Sequence, residues 1–287
     1  MLAIYKKELR AYFNSMIGWI FLAFFFLGVG FYHATINLLQ GYGLFTYALT
    51  SVTIIIILII PIFTMRIMAE ETRQKTDQLL YTAPVSIVQI VLGKFFAMAT
   101  IFAIGVAVLG LYPLTMIPYG DVVFVQEYVS LLGFLLMGCV YMAIGLFISS
   151  LMSSQILAAV LTIFVFLFSF FASGIAELFE LDNQTAFKFM VVVWLLVAVI
   201  AYQLMKNFAV AAVIWFAGEG VLLLVYKLKP ALYDGLIGKV FASLSITDHF
   251  TTFSYGILSV SDVVYFITVT VLFLFFTVQV INKKRWS

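Results

Sequence analysis

Charge is what this sequence has least of. Only 10% of its 287 residues are Asp, Glu, Lys or Arg, and 65% are hydrophobic. Soluble domains carry about 25% charged and roughly 45–50% apolar residues. A soluble core could not hide this much apolar surface, whereas lipid can. The net charge of +2 is too small to suggest a nucleic-acid partner. A single cysteine, Cys139, excludes an internal disulfide and reads as a small lipid- or helix-facing side chain within an apolar run. The two histidines, His33 and His249, lie far apart, and no H-E-x-x-H is present. G-x-x-x-x-G-K-[ST] and G-x-S-x-G are missing too. Gly93-Lys94 is followed by Phe95 and lacks the earlier glycine, so no phosphate cradle forms. The chain therefore reads as non-enzymatic, with no cofactor, metal or catalytic residue of its own. No A-x-A-like site follows the first apolar run, which is expected to be retained rather than cleaved.

What is present is a series of apolar runs, each near the 20 residues that cross a hydrocarbon core. They cover about 16–38, 46–65, 87–117, 126–151, 155–176, 187–204, 208–226 and 263–281. The spacing predicts an all-α, polytopic transmembrane bundle of about eight spans. Pro113 should kink the far end of the third. An even count puts both termini on one side. With the N-terminus in the cytoplasm, eleven of the fifteen Lys and Arg residues fall inside. Only Lys188, Lys227, Lys229 and Lys239 fall outside, so the positive-inside rule selects this topology.

Three segments do not span. In residues 1–15, Leu2, Tyr5, Leu9, Tyr12 and Phe13 share one helical face, and Lys6, Lys7, Arg10 and Asn14 another. This is an amphipathic interfacial helix, serving equally well as a membrane anchor or as a functional elbow. Residues 66–86, RIMAEETRQKTDQLLYTAPVS, form the longest strongly charged segment, on the cytoplasmic side. Glu70 with Gln74, and Glu71 with Lys75, stand at i,i+4 spacing in the favourable order. Leu79, Leu80 and Tyr81 supply an apolar knob, and Ala83-Pro84 ends the helix. A connecting loop needs only a handful of residues, so this length and chemistry favour docking onto another protein over a plain connection. The third segment, 228–262, predicts an outer amphipathic helix after Pro230, with Ser261 as N-cap of the last span and Asp262 in its first turn.

Ionisable groups inside spans are costly and functional by default. Glu219 is the clearest. Proton coupling is one reading, and a carboxylate paired across the hairpin, with Lys188 as partner, or reaching the outer interface, is the other. His33, with Asn37 and Gln40, reads as interfacial, and Glu127 as an acidic residue favoured at a helix N-terminus.

At the charged loop the sequence becomes recognisable. Ile60-Pro61, Thr64-Met65-Arg66, the run from Glu70 to Leu80 (Glu70, Glu71, Arg73, Lys75, Thr76, Asp77, Leu79 and Leu80 among it), Ala83-Pro84-Val85-Ser86 and Ile90-Val91-Leu92-Gly93-Lys94 resemble the ABC-2 type permeases. They are most similar to the branch named for gliding motility and multicopper-enzyme maturation. IGLFISSLMSSQILAAVLT, residues 144–162, and FSYGILSVSDVVYF, residues 253–266, agree. The resemblance implies a six-span core, a cytoplasmic elbow helix at 1–15, a permease domain over 16–287 and a coupling element at 66–86. It implies a multi-pass protein of a bacterial-type cytoplasmic membrane, working as a permease pair, identical or mixed, with two ATPase subunits that hold ATP and Mg. An accessory membrane subunit is a further possible partner. Export is the family's habit, and the cargo is not named by it. The stretch 187–226 departs from the six-span pattern as an extra hydrophobic hairpin. An ion-coupled secondary transporter and a non-transporting membrane scaffold are the competing classes.

Overall fold

A computed structural model describes residues 1–76, 85–119, 122–178, 183–205 and 208–286. Every regular element in it is helical: α1 (Leu2–Asn14), α2 (Met16–Tyr32) continued by a π-helical segment (His33–Leu39), α3 (Thr46–Thr64), α4 (Arg66–Gln74), α5 (Ile87–Leu109), α6 (Phe124–Leu151), α7 (Gln155–Glu177), α8 (Asn183–Met205), α9 (Phe208–Leu228), α10 (Leu236–Leu244), α11 (Ile246–Ser254) and α12 (Val260–Trp286). Among the described residues six helical stretches are long and apolar enough to cross a membrane: Met16–Leu39, Thr46–Gln74, Ile87–Thr115, Phe124–Leu151, Gln155–Glu177 and Val260–Arg285. Helices α8 and α9 are not among the six. Helix α5 ends at Leu109, and Pro113 lies in a separate helical turn, Tyr112–Thr115, as a proline tolerated only in a first turn requires.

The contacts divide the chain into two compact units, residues 1–168 with 247–287, and residues 169–246. In the first, α6 is the axis. It is apolar on every face and mostly buried, the pattern of a helix enclosed by others, and α3, α4, α5 and α12 pack around it. Gly138 makes this possible: a Cβ there would stand 2.1 Å from Phe102 of α5. The Phe102 ring fills that notch, stacked on Phe134 at 5.9 Å and tilted against Phe25 at 5.5 Å.

Helix α11 runs antiparallel to the first half of α6. Gln126 Nε2 donates to the Ser254 carbonyl at 3.0 Å, and the Phe134 and Phe250 rings lie 6.0 Å apart. The cap of α12 is Ser259 rather than Ser261: its hydroxyl accepts from the Asp262 N–H at 3.4 Å.

The second unit has its own small core of Ala172, Ala176, Ala186, Tyr233, Ile237 and Phe241. Helices α8 and α9 pack along each other, with the Phe187 and Tyr226 rings 4.9 Å apart. Ser169 closes the unit, donating to the Leu244 carbonyl at 2.7 Å and accepting from the Ile246 N–H at 3.2 Å.

Candidate functional site

The densest polar structure lies where α1, α4 and α5 meet. Lys94, in the second turn of α5, is completely buried. Its ammonium has three donors and no acceptor, and here it finds three acceptors. Glu71 Oε1 of α4 is at 2.7 Å, the Ile67 carbonyl of α4 at 3.0 Å and Glu8 Oε1 of α1 at 3.2 Å. A buried charge persists only when paired and hydrogen-bonded in this way. Gly93, next to the lysine, lets α1 come close: a Cβ there would meet Ile4 at 3.0 Å and the Tyr5 backbone nitrogen at 3.3 Å.

Two further contacts fasten the same end of the bundle. Ser149, near the end of α6, donates to the Met65 carbonyl at 2.9 Å and accepts from the Met68 and Ala69 N–H groups of α4. Tyr12 of α1 donates to the Phe63 carbonyl of α3 at 3.4 Å. Burial, reinforced by the neighbouring Glu8 carboxylate, pushes the Tyr12 hydroxyl above its ordinary range, so it stays a donor. Lys284 of α12 donates to the Ser150 carbonyl at 2.7 Å, a cation on the C-terminal carbonyls of α6. The N-terminal helix, the charged helix α4 and the last turns of α12 thus gather at one end of this unit.

The sequence-predicted coupling residues separate by direction. Glu70 pairs with Arg66 and accepts from Gln74 Nε2 at 2.9 Å. Glu71 turns inward to Lys94 rather than to Lys75. The reason is the helix end: α4 stops at Gln74, and Lys75 adopts the left-handed conformation at φ 56°. The Thr76 N–H then closes onto the Glu71 carbonyl at 3.0 Å, the pattern of a Schellman cap. Arg73, Lys75 and Thr76 are exposed. Asp77, Leu79 and Leu80 lie outside the described residues, as does the proposed hairpin tip at Lys206 and Asn207.

The opposite end holds a second polar group. Glu127 of α6 is completely buried; it accepts from the Phe45 N–H at 2.9 Å and the Thr46 hydroxyl at 3.1 Å. Its carboxyl therefore caps the start of α3 while sitting in the first turn of its own helix, where both dipoles favour an acceptor. His33 and Asn37 are buried among the helices. The imidazole lies 3.2 Å from Asn37 Oδ1 and 3.1 Å from Thr115 Oγ1. Asn37 Nδ2 donates to the carbonyls of Tyr42 and Leu44, which fixes the π-helical turn and the loop after it. His249 of α11 and Asp262 of α12 approach to 2.7 Å under the Tyr265 ring.

Glu219, in α9, is half-buried, and its Oε2 has no hydrogen-bond partner among the described residues. Among the described residues no ion pair joins it to Lys188, which is exposed. No group of three or more His, Cys, Asp or Glu among the described residues is arranged to hold a metal.

Sequence reasoning missed Glu8 and Ser149 and gave Lys94 no role. Each carried a signal: Glu8 falls on the face that buries Ile4 and Tyr12, and Lys94 is the one charge in the apolar run of α5.

No curated protein matches the chain to a significant level. A family model described as ABC-2 family transporter protein matches residues 32–278, a range that takes in Glu71, Lys94, Glu127, four of the six apolar stretches whole, the last third of the first and most of the sixth. By that coverage the chain belongs to the ABC-2 family of transporter proteins, as a multi-pass membrane permease.

Proposed function

We propose that this chain is the permease subunit of an ATP-driven ABC exporter, forming the substrate path while a separate chain hydrolyses ATP. The observation that carries the reading is the Lys94 junction. Helix α4 leads into the charged loop and is bound by one buried ammonium to both α1 and α5. A partner pressing on the loop would move three helices together instead of bending a loose connection. Arg73, Lys75 and Thr76 are exposed and are offered to the ATPase, and Asp77, Leu79 and Leu80 are assigned the same role from the sequence alone. Glu71 holds the surface in place from behind. In this reading both termini are cytoplasmic in a bacterial-type inner membrane, a second permease copy or homologue completes the path, and α8–α9 add a transmembrane hairpin to a six-span core.

The test is co-purification. Tagged chain in mild detergent should bring down a protein carrying a Walker A motif, and reversing Arg73 and Lys75 to Glu should release it. A preparation that holds no ATPase, in nanodiscs as well as detergent, would sink the reading. It would favour the ion-coupled class, to which a Glu219 oxygen with no partner among the described residues points.

The hairpin has its own test. A cysteine at Asn207, in a Cys139→Ser background, should resist an impermeant maleimide added to intact cells and react after permeabilisation. Labelling from outside would reverse the assignment.

A further inference from the structure

Beside the Lys94 junction lie two neighbouring cavities. The first, about 360 Å³, lies between α1 and α4 and is lined by Lys7, Glu8, Ser15, Arg66, Glu70 and Gln74 among others. The second, about 570 Å³, runs along α2 and α3 over Ile20, Phe24, Leu58, Ile62 and Phe63. Ile17, Arg66 and Glu70 border both. Each is within the range of small-molecule sites, about 300–1,000 Å³. The shared residues set the charged first cavity, as a mouth, directly beside the apolar second, as a trough, and the two are taken together as one groove.

We propose that this groove holds a membrane phospholipid whose headgroup carries both a phosphate and a primary ammonium. The trough is lined almost wholly by aliphatic and aromatic side chains and suits an acyl chain. The charge of the mouth selects the headgroup. Two cations, Lys7 and Arg66, stand there with three carboxylates, Glu8, Glu70 and Glu71, and Lys94 behind them pairs with Glu8 and Glu71, so the mouth carries no net charge. An anionic headgroup would draw Arg66 away from Glu70 and leave that carboxylate without a cation. A zwitterion places its phosphate on Lys7 and Arg66 and its ammonium on the carboxylates, of which Glu70 is held only by exposed partners. A primary ammonium donates hydrogen bonds and a quaternary one does not, so the amine class is also distinguished. A flat protein surface would match the trough but bring no paired phosphate and ammonium to exchange with the Arg66–Glu70 pair at the mouth, which favours an amphiphile over a second copy.

The inference rests on the reading that α1 lies at a membrane interface, but its test uses the permease alone and needs no ATPase. Purified protein is exchanged into nanodiscs of POPE, POPG and POPC in equal parts, then released and analysed by native mass spectrometry. POPE should be retained with roughly tenfold preference over POPC, the ratio about 1.4 kcal/mol supplies. Ile62→Trp, filling the trough from an exposed position, should abolish retention, and Arg66→Gln should remove the preference among headgroups. Equal retention of the three lipids overturns the proposal, as does POPE binding untouched by Ile62→Trp. So does a variant that loses a permease dimer while keeping its lipid, which would assign the groove to a second copy.

Discussion

Lys94→Met should destabilise the purified protein by about 3–5 kcal/mol, the range for removing one partner of a buried ion pair. The methionine matches the lysine stem in length and leaves packing near the original, so the loss reports the charge. What remains is Glu8 and Glu71, side chains 12% and 18% exposed, facing each other without the cation that held them. The Ile67 carbonyl loses its side-chain donor as well. Urea or SDS titration in detergent, followed by tryptophan fluorescence, reads the effect as a lower midpoint at constant slope. The triple variant Lys94→Met, Glu8→Gln, Glu71→Gln should recover much of it, because neutral groups avoid the desolvation that makes a broken pair costly. Lys94→Arg should recover little, since a planar guanidinium does not fit a site built around three acceptors of a point charge. A Lys94→Met protein that unfolds with the wild-type midpoint would remove the junction from any account of coupling.

The contrast between what the sequence displays and what it conceals is sharpest at this junction. The apolar runs are legible because a membrane span is a local property: length and composition define it, and each of the six long helices lies on a run readable from hydrophobicity. The α1 helix is legible from its periodicity. The junction is not, because Lys94 finds its partners 86 and 23 residues away, and spacing along one helix says nothing about pairs between helices. Local reasoning even chose the wrong partner for Glu71. It extended α4 through Lys75, where the backbone turns left-handed and the i,i+4 register ends. Glu70 and Gln74, both within the helix, pair as the register predicts. At the other end the same limit applies. His33 and Asn37 look interfacial beside Gln40 in sequence, which does not show the π-helical turn and Thr115 that enclose them. What was readable there was residue type: an isolated charge in an apolar run, or an acid on an apolar stripe, requires a partner even when the sequence does not say which.

Glu127→Ala should cost about 3 kcal/mol or more, since a buried donor left unsatisfied costs about 1–3 kcal/mol and this carboxyl accepts from two. The loss falls at a helix start, where the Phe45 N–H has no intrahelical carbonyl to turn to, and at a site with no solvent exposure from which water could replace the acceptor. The effect should be local before it is global: amide exchange of residues 45–49 should accelerate first, while α1 and α5, fastened at the far end by Lys94, keep their protection. Glu127→Gln separates charge from geometry. Its carbonyl oxygen can still accept from Phe45, but its amide turns two donors toward a Thr46 hydroxyl that already approaches Ser130 Oγ at 3.0 Å, so about half the loss should remain. A Gln variant as damaged as Ala would mean that charge at the two helix starts matters more than the count of bonds. An Ala variant with the wild-type melting curve would mean that the carboxyl's burial cancels its bonds, and that α3 is held by the packing of Phe45 and Phe63 instead.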